Sequence, residues 1–383
     1  MRSYRSRSWA AILVALVIAA SMAGALSWPR QDFDLMAYVG VVRRYDASSD
    51  EEALSLTLAD LRRELTPERF AWMTGQGHPD SYAHAMASDA RSFGQQLRWF
   101  QGRPLFTRAA WALVRGGLTA PRALHLISAL SSALLAAVFF MCTAALRRSW
   151  LRVAVWLGTC SVLDLASLAA SPLADPLSAL LVVSGLGLVL LWERPLPGLS
   201  LLVASVAARP DNVMYALALS AFLLGSRPIF AARALGPSAG ASAAALVVWR
   251  WVDRESYGWA KLVHFRRVGL ERYPAEALMP LSLAHYGRVL RAWALEVYTC
   301  EVVAALLWVL LLARFRSRLL SRPFVAFGVC MVPLSLARFL LFPDWHSRFF
   351  VAPLGIFFIA AAMVISPAPT RGSSPPTRRA SRP

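Results

Sequence analysis

The groups in this chain best suited to chemistry are two aspartates one residue apart, Asp32-Phe33-Asp34, and a set of arginines spaced among further carboxylates. A carboxylate in a cavity can serve as general base towards a hydroxyl. A guanidinium holds phosphate through paired N–H donors. The candidates for chemistry are Asp34, Asp32 and Asp175; those for holding a substrate are Arg103, Arg209, Asp211, Arg338, His346 and Arg348. These parts suit attack of an acceptor hydroxyl on the anomeric carbon of a sugar, with lipid phosphate as leaving group. The arginines would stabilise the departing charge, which calls for no cofactor and leaves a divalent metal open. Asp34 is the first choice as base. On an extended segment Asp32 and Asp34 point the same way; on a helix they diverge.

Each candidate also has a plainer reading. Asp32 and Asp34 are equally loop acids in water, and Asp175, just before Pro176, suits a turn. Arg209 is two residues from Asp211 and can pair with it. Arg103 and Arg348 can anchor at lipid headgroups, and Arg338 can snorkel from inside an apolar run. His78 and His346 read as surface histidines. Asp164 and Glu301 fall inside apolar runs, where a charge marks either a site or an ion pair with a neighbouring helix.

The elements that must position these groups are membrane helices. Of the 383 residues, 57% are hydrophobic and only 16% charged, against about a quarter charged in soluble domains. That composition excludes a soluble multidomain enzyme, a disordered chain and a disulfide scaffold. The formal net charge is +18, yet the arginines sit in short clusters between apolar runs rather than in one stripe, so nucleic acid is not an expected partner. The four cysteines lack metal-ligand spacing. No phosphate-binding loop, dinucleotide fingerprint, zinc motif or nucleophile elbow is present.

Apolar runs at 9–26, 122–146, 151–170, 173–192, 196–208, 212–225, 237–252, 295–313, 323–341 and 349–366 make about ten spans. The first is read as an uncleaved helix, although Ala23-Gly24-Ala25 resembles a cleavage site. With both termini cytoplasmic, every cytoplasmic turn is basic, and the acids and arginines of five loops fall on the outer side. Residues 29–121 form a polar outer loop with helices expected at 50–65, 81–100 and 104–117. Residues 196–208 and 212–225 are short for a bilayer and meet at Arg209-Pro210-Asp211, a turn that belongs at a cavity wall. The domain layout is therefore one membrane domain, 1–366, and a disordered basic cytoplasmic tail, 367–383.

This layout resembles the GT-C superfamily of polytopic membrane glycosyltransferases. Asp32-Phe33-Asp34, just after the first helix, matches the position of that family's catalytic acid. Gly102-Arg103-Pro104-Leu105-Phe106, Ala208-Arg209-Pro210-Asp211 and Asp344-Trp345-His346-Ser347-Arg348-Phe349-Phe350 resemble further short elements of its members. The chain departs from the pattern in having Asp-Phe-Asp rather than Asp-Glu, no Trp-Trp-Asp and no soluble C-terminal domain. The resemblance implies an all-α integral membrane fold of about ten helices with amphipathic helices in the outer loop. It implies transfer of a sugar from a polyprenyl-phosphate donor to a glycan, lipid or protein acceptor outside the bacterial inner membrane. The alternatives are a transporter or flippase for a lipid-linked or anionic solute, and a non-catalytic partner in envelope-polysaccharide assembly.

Overall fold

The computed structural model describes residues 2–146, 148–225, 229–257, 271–278, 282–294, 299–319, 323–341 and 347–365. Among them there are helices and no strands. In chain order the helices are α1 (Arg2–Ser27), α2 (Phe33–Arg44), α3 (Asp50–Glu64), α4 (Pro67–Met73), α5 (Tyr82–Ser88), α6 (Ala90–Leu97) and α7 (Pro104–Arg115). There follow α8 (Ala120–Cys142), α9 (Ser149–Val162), α10 (Leu165–Ala170), α11 (Asp175–Leu190), α12 (Pro195–Ala208), α13 (Val213–Gly225) and α14 (Ile229–Arg254). The last are α15 (Pro274–Ala277), α16 (Leu283–Ala294), α17 (Thr299–Leu319), α18 (Pro323–Val329), α19 (Met331–Leu341) and α20 (Val351–Ile365). The tail expected at 367–383, together with His264, Arg266, Arg267 and His346, lies outside the described residues.

Three stretches are long and apolar enough to cross a membrane: Trp9–Ser27, Ala120–Ala145 and Pro323–Leu340. Shorter apolar helices lie at Asp175–Leu190, Pro195–Ala208, Ala304–Arg314 and Val351–Ile365. At about 1.5 Å per residue these shorter helices fall below the roughly 30 Å of a hydrocarbon core. The run at 151–170 is not continuous: it breaks at Asp164, whose φ of 48° and ψ of 46° are left-handed, so α9 ends and α10 begins there. Asp164 therefore sits at a helix junction rather than inside a straight span.

The polar segment 29–121 is more helical and more buried than its polarity suggests. From Leu35 to Val42 every residue of α2 is buried, which is how a helix that is apolar all round must sit. Such a run has no amphipathic period, so it carries no helical signature in the sequence. The stripe Leu54, Leu58, Leu61 and Leu65 of α3 faces inward as expected, with Leu58 only half-buried. The helix expected over 81–100 is instead two. Asp89 interrupts it, its Oδ1 accepting from the backbone N–H of Arg91 (2.9 Å) and Ser92 (3.3 Å) to cap α6.

Two acids of α3 fasten the loop to the membrane helices. Asp60 takes both nitrogens of the Arg43 fork at 2.7 Å and also accepts from the Ala120 N–H at the start of α8. Glu64 accepts from Thr119 Oγ1 (2.9 Å) and Arg122 (2.8 Å). Negative charge at the N-terminus of α8 is favourable to its dipole.

Helices α11 and α12 run antiparallel, and two glycines let them touch. A Cβ on Gly198 would stand 2.6 Å from the Gly185 carbonyl oxygen, and one on Gly185 would stand 2.8 Å from that of Gly198. Close approach through small residues is the usual way membrane helices gain contact. Asp175 opens α11 and Arg209 follows α12, so this contact sets how those two side chains meet. Gly198→Leu is expected to force the helices apart, lowering unfolding stability by about 1–3 kcal/mol and weakening any activity that needs the site. Thermal melting in detergent, read beside Gly225→Ala, where a Cβ meets nothing within 4 Å, checks this.

Candidate active site

The loop residue Asp32 is extended (φ −92°, ψ 173°) and Asp34 lies in the first turn of α2. That half-extended, half-helical arrangement keeps both carboxylates on one cavity of about 420 Å³. Arg30, Asp164, Ser167, Ser171 and Arg348 complete its polar wall. Arg348 Nη1 donates to Asp34 Oδ2 at 2.9 Å, across 314 positions of sequence. The Arg30 N–H donates to the Ala170 carbonyl at 2.8 Å, tying the segment after α1 to the end of α10.

Asp32 and Arg348 each keep a buried atom without a hydrogen-bond partner, Oδ1 of the acid and Nε of the arginine. Burial, reinforced by the neighbouring Asp34 charge and opposed by Arg348, pushes the Asp32 carboxyl up from its ordinary value to about 6. That places it where a carboxyl can both take and return a proton near neutral pH. Asp34 was the first choice as base from the sequence. In the structure its carboxylate holds Arg348, whereas Asp32 is the acid with a free oxygen and a raised pKa.

Beside the cavity lies a chain of alternating charges. Asp175 is paired with Arg209. Arg209 also grips Asp211 through Nε (3.1 Å) and Nη2 (3.3 Å). Asp211 in turn accepts from Arg338 Nε at 2.7 Å, and Arg338 Nη1 donates to the Phe349 carbonyl at 2.6 Å. The Phe349 ring lies 4.4 Å from the Arg209 guanidinium carbon and 5.0 Å from that of Arg348, within cation–π range. Arg209 and Arg338 thus have protein partners, and what they position is the segment carrying Arg348. Arg209 pairs with Asp211, as its plainer reading expects, whereas Arg338 does not snorkel but is buried against the same acid.

Arg103 donates to the Tyr38 hydroxyl and packs over the rings of Tyr38 and Phe100. Asp175 feels the charges of Arg209, Arg348 and Arg103, so Arg103 belongs to the same electrostatic cluster although it stands against Tyr38. The structure therefore brings together Asp32, Asp34, Asp175, Arg103, Arg209, Asp211, Arg338 and Arg348. The described stretch 271–278 lies elsewhere: it docks on α6, where Ser92 Oγ donates to the Arg272 carbonyl (2.6 Å) and Tyr273 donates to Asp89 (2.6 Å).

Sequence reasoning missed Tyr38 and Phe349. Tyr38 lies four residues after Asp34 and so on the same helical face, a signal visible only once 33–44 is known to be a helix. Among the described residues no three histidines, cysteines or acids form a metal cradle.

A second hollow adjoins the first. An apolar groove of about 350 Å³ runs between α1, α8, α9 and α10, lined by Val17, Met22, Ala136, Trp156 and Leu165. Asp164 lines both spaces, so the polar cavity and the apolar groove share a wall.

No family model, curated protein or solved structure matches the chain. What the site can do follows from its own groups.

Cutting the charge chain should be costly. Asp211→Asn would leave Arg209 and Arg338, with 6% and 4% of their side-chain surface exposed, without their shared counter-charge. The expected loss is about 3–5 kcal/mol, measured by unfolding in detergent. The Arg122–Glu64 pair, whose arginine keeps 70% of its side-chain surface exposed, should cost about 1 kcal/mol or less when broken by Arg122→Ala.

Proposed function

We propose that this chain is an integral membrane glycosyltransferase of GT-C type, with about ten transmembrane helices. It would move a sugar from a polyprenyl-phosphate donor to an acceptor on the outer face of the bacterial inner membrane, with both chain termini cytoplasmic. The observation that carries the proposal is the shared wall of the two hollows. An acidic, arginine-bearing cavity that opens beside an apolar groove suits a ligand with an anionic head and a hydrocarbon tail.

In this reading Asp32 accepts the proton of the acceptor hydroxyl. The acceptor oxygen forms its bond to the anomeric carbon as the bond from that carbon to the phosphate oxygen breaks. The electron pair leaves with the lipid phosphate, and attack from the opposite face inverts the centre. Arg348, with its Nε–H unpartnered, and Arg30 receive the phosphate charge. Asp34 holds Arg348 in place, and the Asp175–Arg209–Asp211–Arg338 chain holds the segment that bears it.

The test is single-turnover release of polyprenyl phosphate by protein in nanodiscs, given a panel of polyprenyl-phosphate sugars and a membrane extract. Wild type should release it, and Asp32→Asn should slow release by about 10²–10⁴-fold. Equal release by a folded Asp32→Asn variant sinks the assignment of the base. A labelled donor that crosses the bilayer with no release from any variant would favour transport.

The pH profile supplies a second test with a sign. The base must be ionised, so the rate should fall as pH drops through about 6. Asp34→Asn removes the like charge and frees Arg348 to face Asp32, so the acid limb should move to lower pH. Arg348→Gln removes the opposing charge and should move it higher. A limb that stays put in both variants would assign the titration to another group.

A further inference from the structure

A third hollow, a cleft of about 560 Å³, lies at the other end of α2. Its donors are the guanidinium groups of Arg44, Arg91, Arg98 and Arg254. Its acceptors are the carboxylates of Asp50, Glu51 and Glu255, and the Gln101 amide supplies both, while the Gln95 amide is engaged by Glu276 and Ala275. None of these residues takes part in the site of Asp32 and Asp34.

We infer that this cleft binds a hydroxyl-rich carbohydrate chain. A sugar hydroxyl donates and accepts at once, so it is matched by donors and acceptors interleaved along one wall. A phosphate or sulfate group answers the four guanidinium groups but gives nothing to the three carboxylates, whereas hydroxyls answer both. The lining is mostly polar, so an apolar ligand is poorly matched to it.

The cleft is built rather than a chance gap between wet surfaces. Asp50 lies directly on α6 because residue 94 is glycine; a Cβ there would run into its carboxylate. Asp50 is held in turn by Arg44 at 2.8 Å. The Arg98 guanidinium carbon sits 5.2 Å from the centre of the Tyr257 ring, and the Tyr257 hydroxyl donates to the Gln95 carbonyl at 2.9 Å. Gln95 Oε1 accepts from the Ala275 N–H at 3.1 Å, and Gln96 donates to the Glu271 carbonyl at 2.8 Å. The wall is thus fixed before a ligand arrives, which lowers the ordering cost of binding.

Position gives the cleft its use. Asp34 and Arg44 are ten residues apart on one helix, a rise of about 15 Å. That is longer than one sugar ring, so only an oligosaccharide or polysaccharide can occupy the cleft and the cavity together. The cleft would then hold the acceptor chain beyond its reacting hydroxyl. This use rests on the glycosyl-transfer reading; carbohydrate binding itself does not.

The test is binding of the full chain, in nanodiscs, to an array of bacterial and synthetic glycans. Neutral, hydroxyl-rich oligosaccharides should be retained. Arg98→Gln and Glu255→Gln, both exposed substitutions that leave the core intact, should each weaken retention about tenfold, the effect of one charge-assisted hydrogen bond. Arg122→Ala, which lines neither hollow, should bind as wild type does. Retention of no glycan overturns the inference, as does binding unchanged in both variants or abolished by millimolar inorganic phosphate. The two proposals fail separately. Glycan binding with no donor release by wild type keeps the cleft and removes the transferase. Asp32-dependent release without glycan binding does the reverse.

Discussion

The buried alternation of Asp175, Arg209, Asp211 and Arg338 is the constraint on which the rest of the site depends. It joins the start of α11, the turn after α12 and the end of α19, and finishes on the backbone carbonyl of Phe349. Charges this deep are tolerated only when each has its counter-charge and its remaining donors satisfied. The arrangement is therefore close to all-or-none, and it fixes the backbone one residue from Arg348. Arg348 can then reach Asp34, which would otherwise be tied to it by nothing nearer than 314 positions of chain.

Helix interruption is the second theme. Asp164 separates α9 from α10 in a left-handed conformation, and Pro210 follows Arg209 between α12 and α13. Freed backbone groups in a membrane must find partners inside the protein. At the second break Asn212 does this, donating to the Ser205 carbonyl (2.9 Å) and to Ser178 Oγ (2.8 Å). Both breaks bring polar side chains where an unbroken helix would present apolar ones, and the first lies where the polar cavity meets the apolar groove.

The polar segment 29–121 acts as a rigid frame rather than a tether. Buried α2 carries the acids at one end and Arg44, on the carbohydrate cleft, at the other. The salt link from Arg43 to Asp60 and on to the start of α8 keeps that helix in register with the membrane helices. A loop so pinned can hold two hollows at a fixed separation, which suits a ligand longer than either.

Much of this was legible in the residues. The apolar content, the polar loop at 29–121, the helices at 50–65 and 104–117 and the break at Arg209-Pro210-Asp211 follow from composition, period and turn chemistry, all of which are local. The candidates that meet, from Asp32 to Arg348, were found because charges in an apolar chain are costly and so conspicuous. Local rules could not order the two acids. Asp34 was preferred over Asp32, and the distinction arose only when folding placed Arg348 against Asp34 and left an Asp32 oxygen buried and unpartnered. The helix at 33–44, the break at Asp89, the part played by Tyr38 and the meeting of groove and cavity at Asp164 were likewise decided by packing. The physical reason is that the sequence sets which groups must be buried or paired, while the identity of each partner, and with it each proton affinity, is a property of distances that exist only in the folded chain.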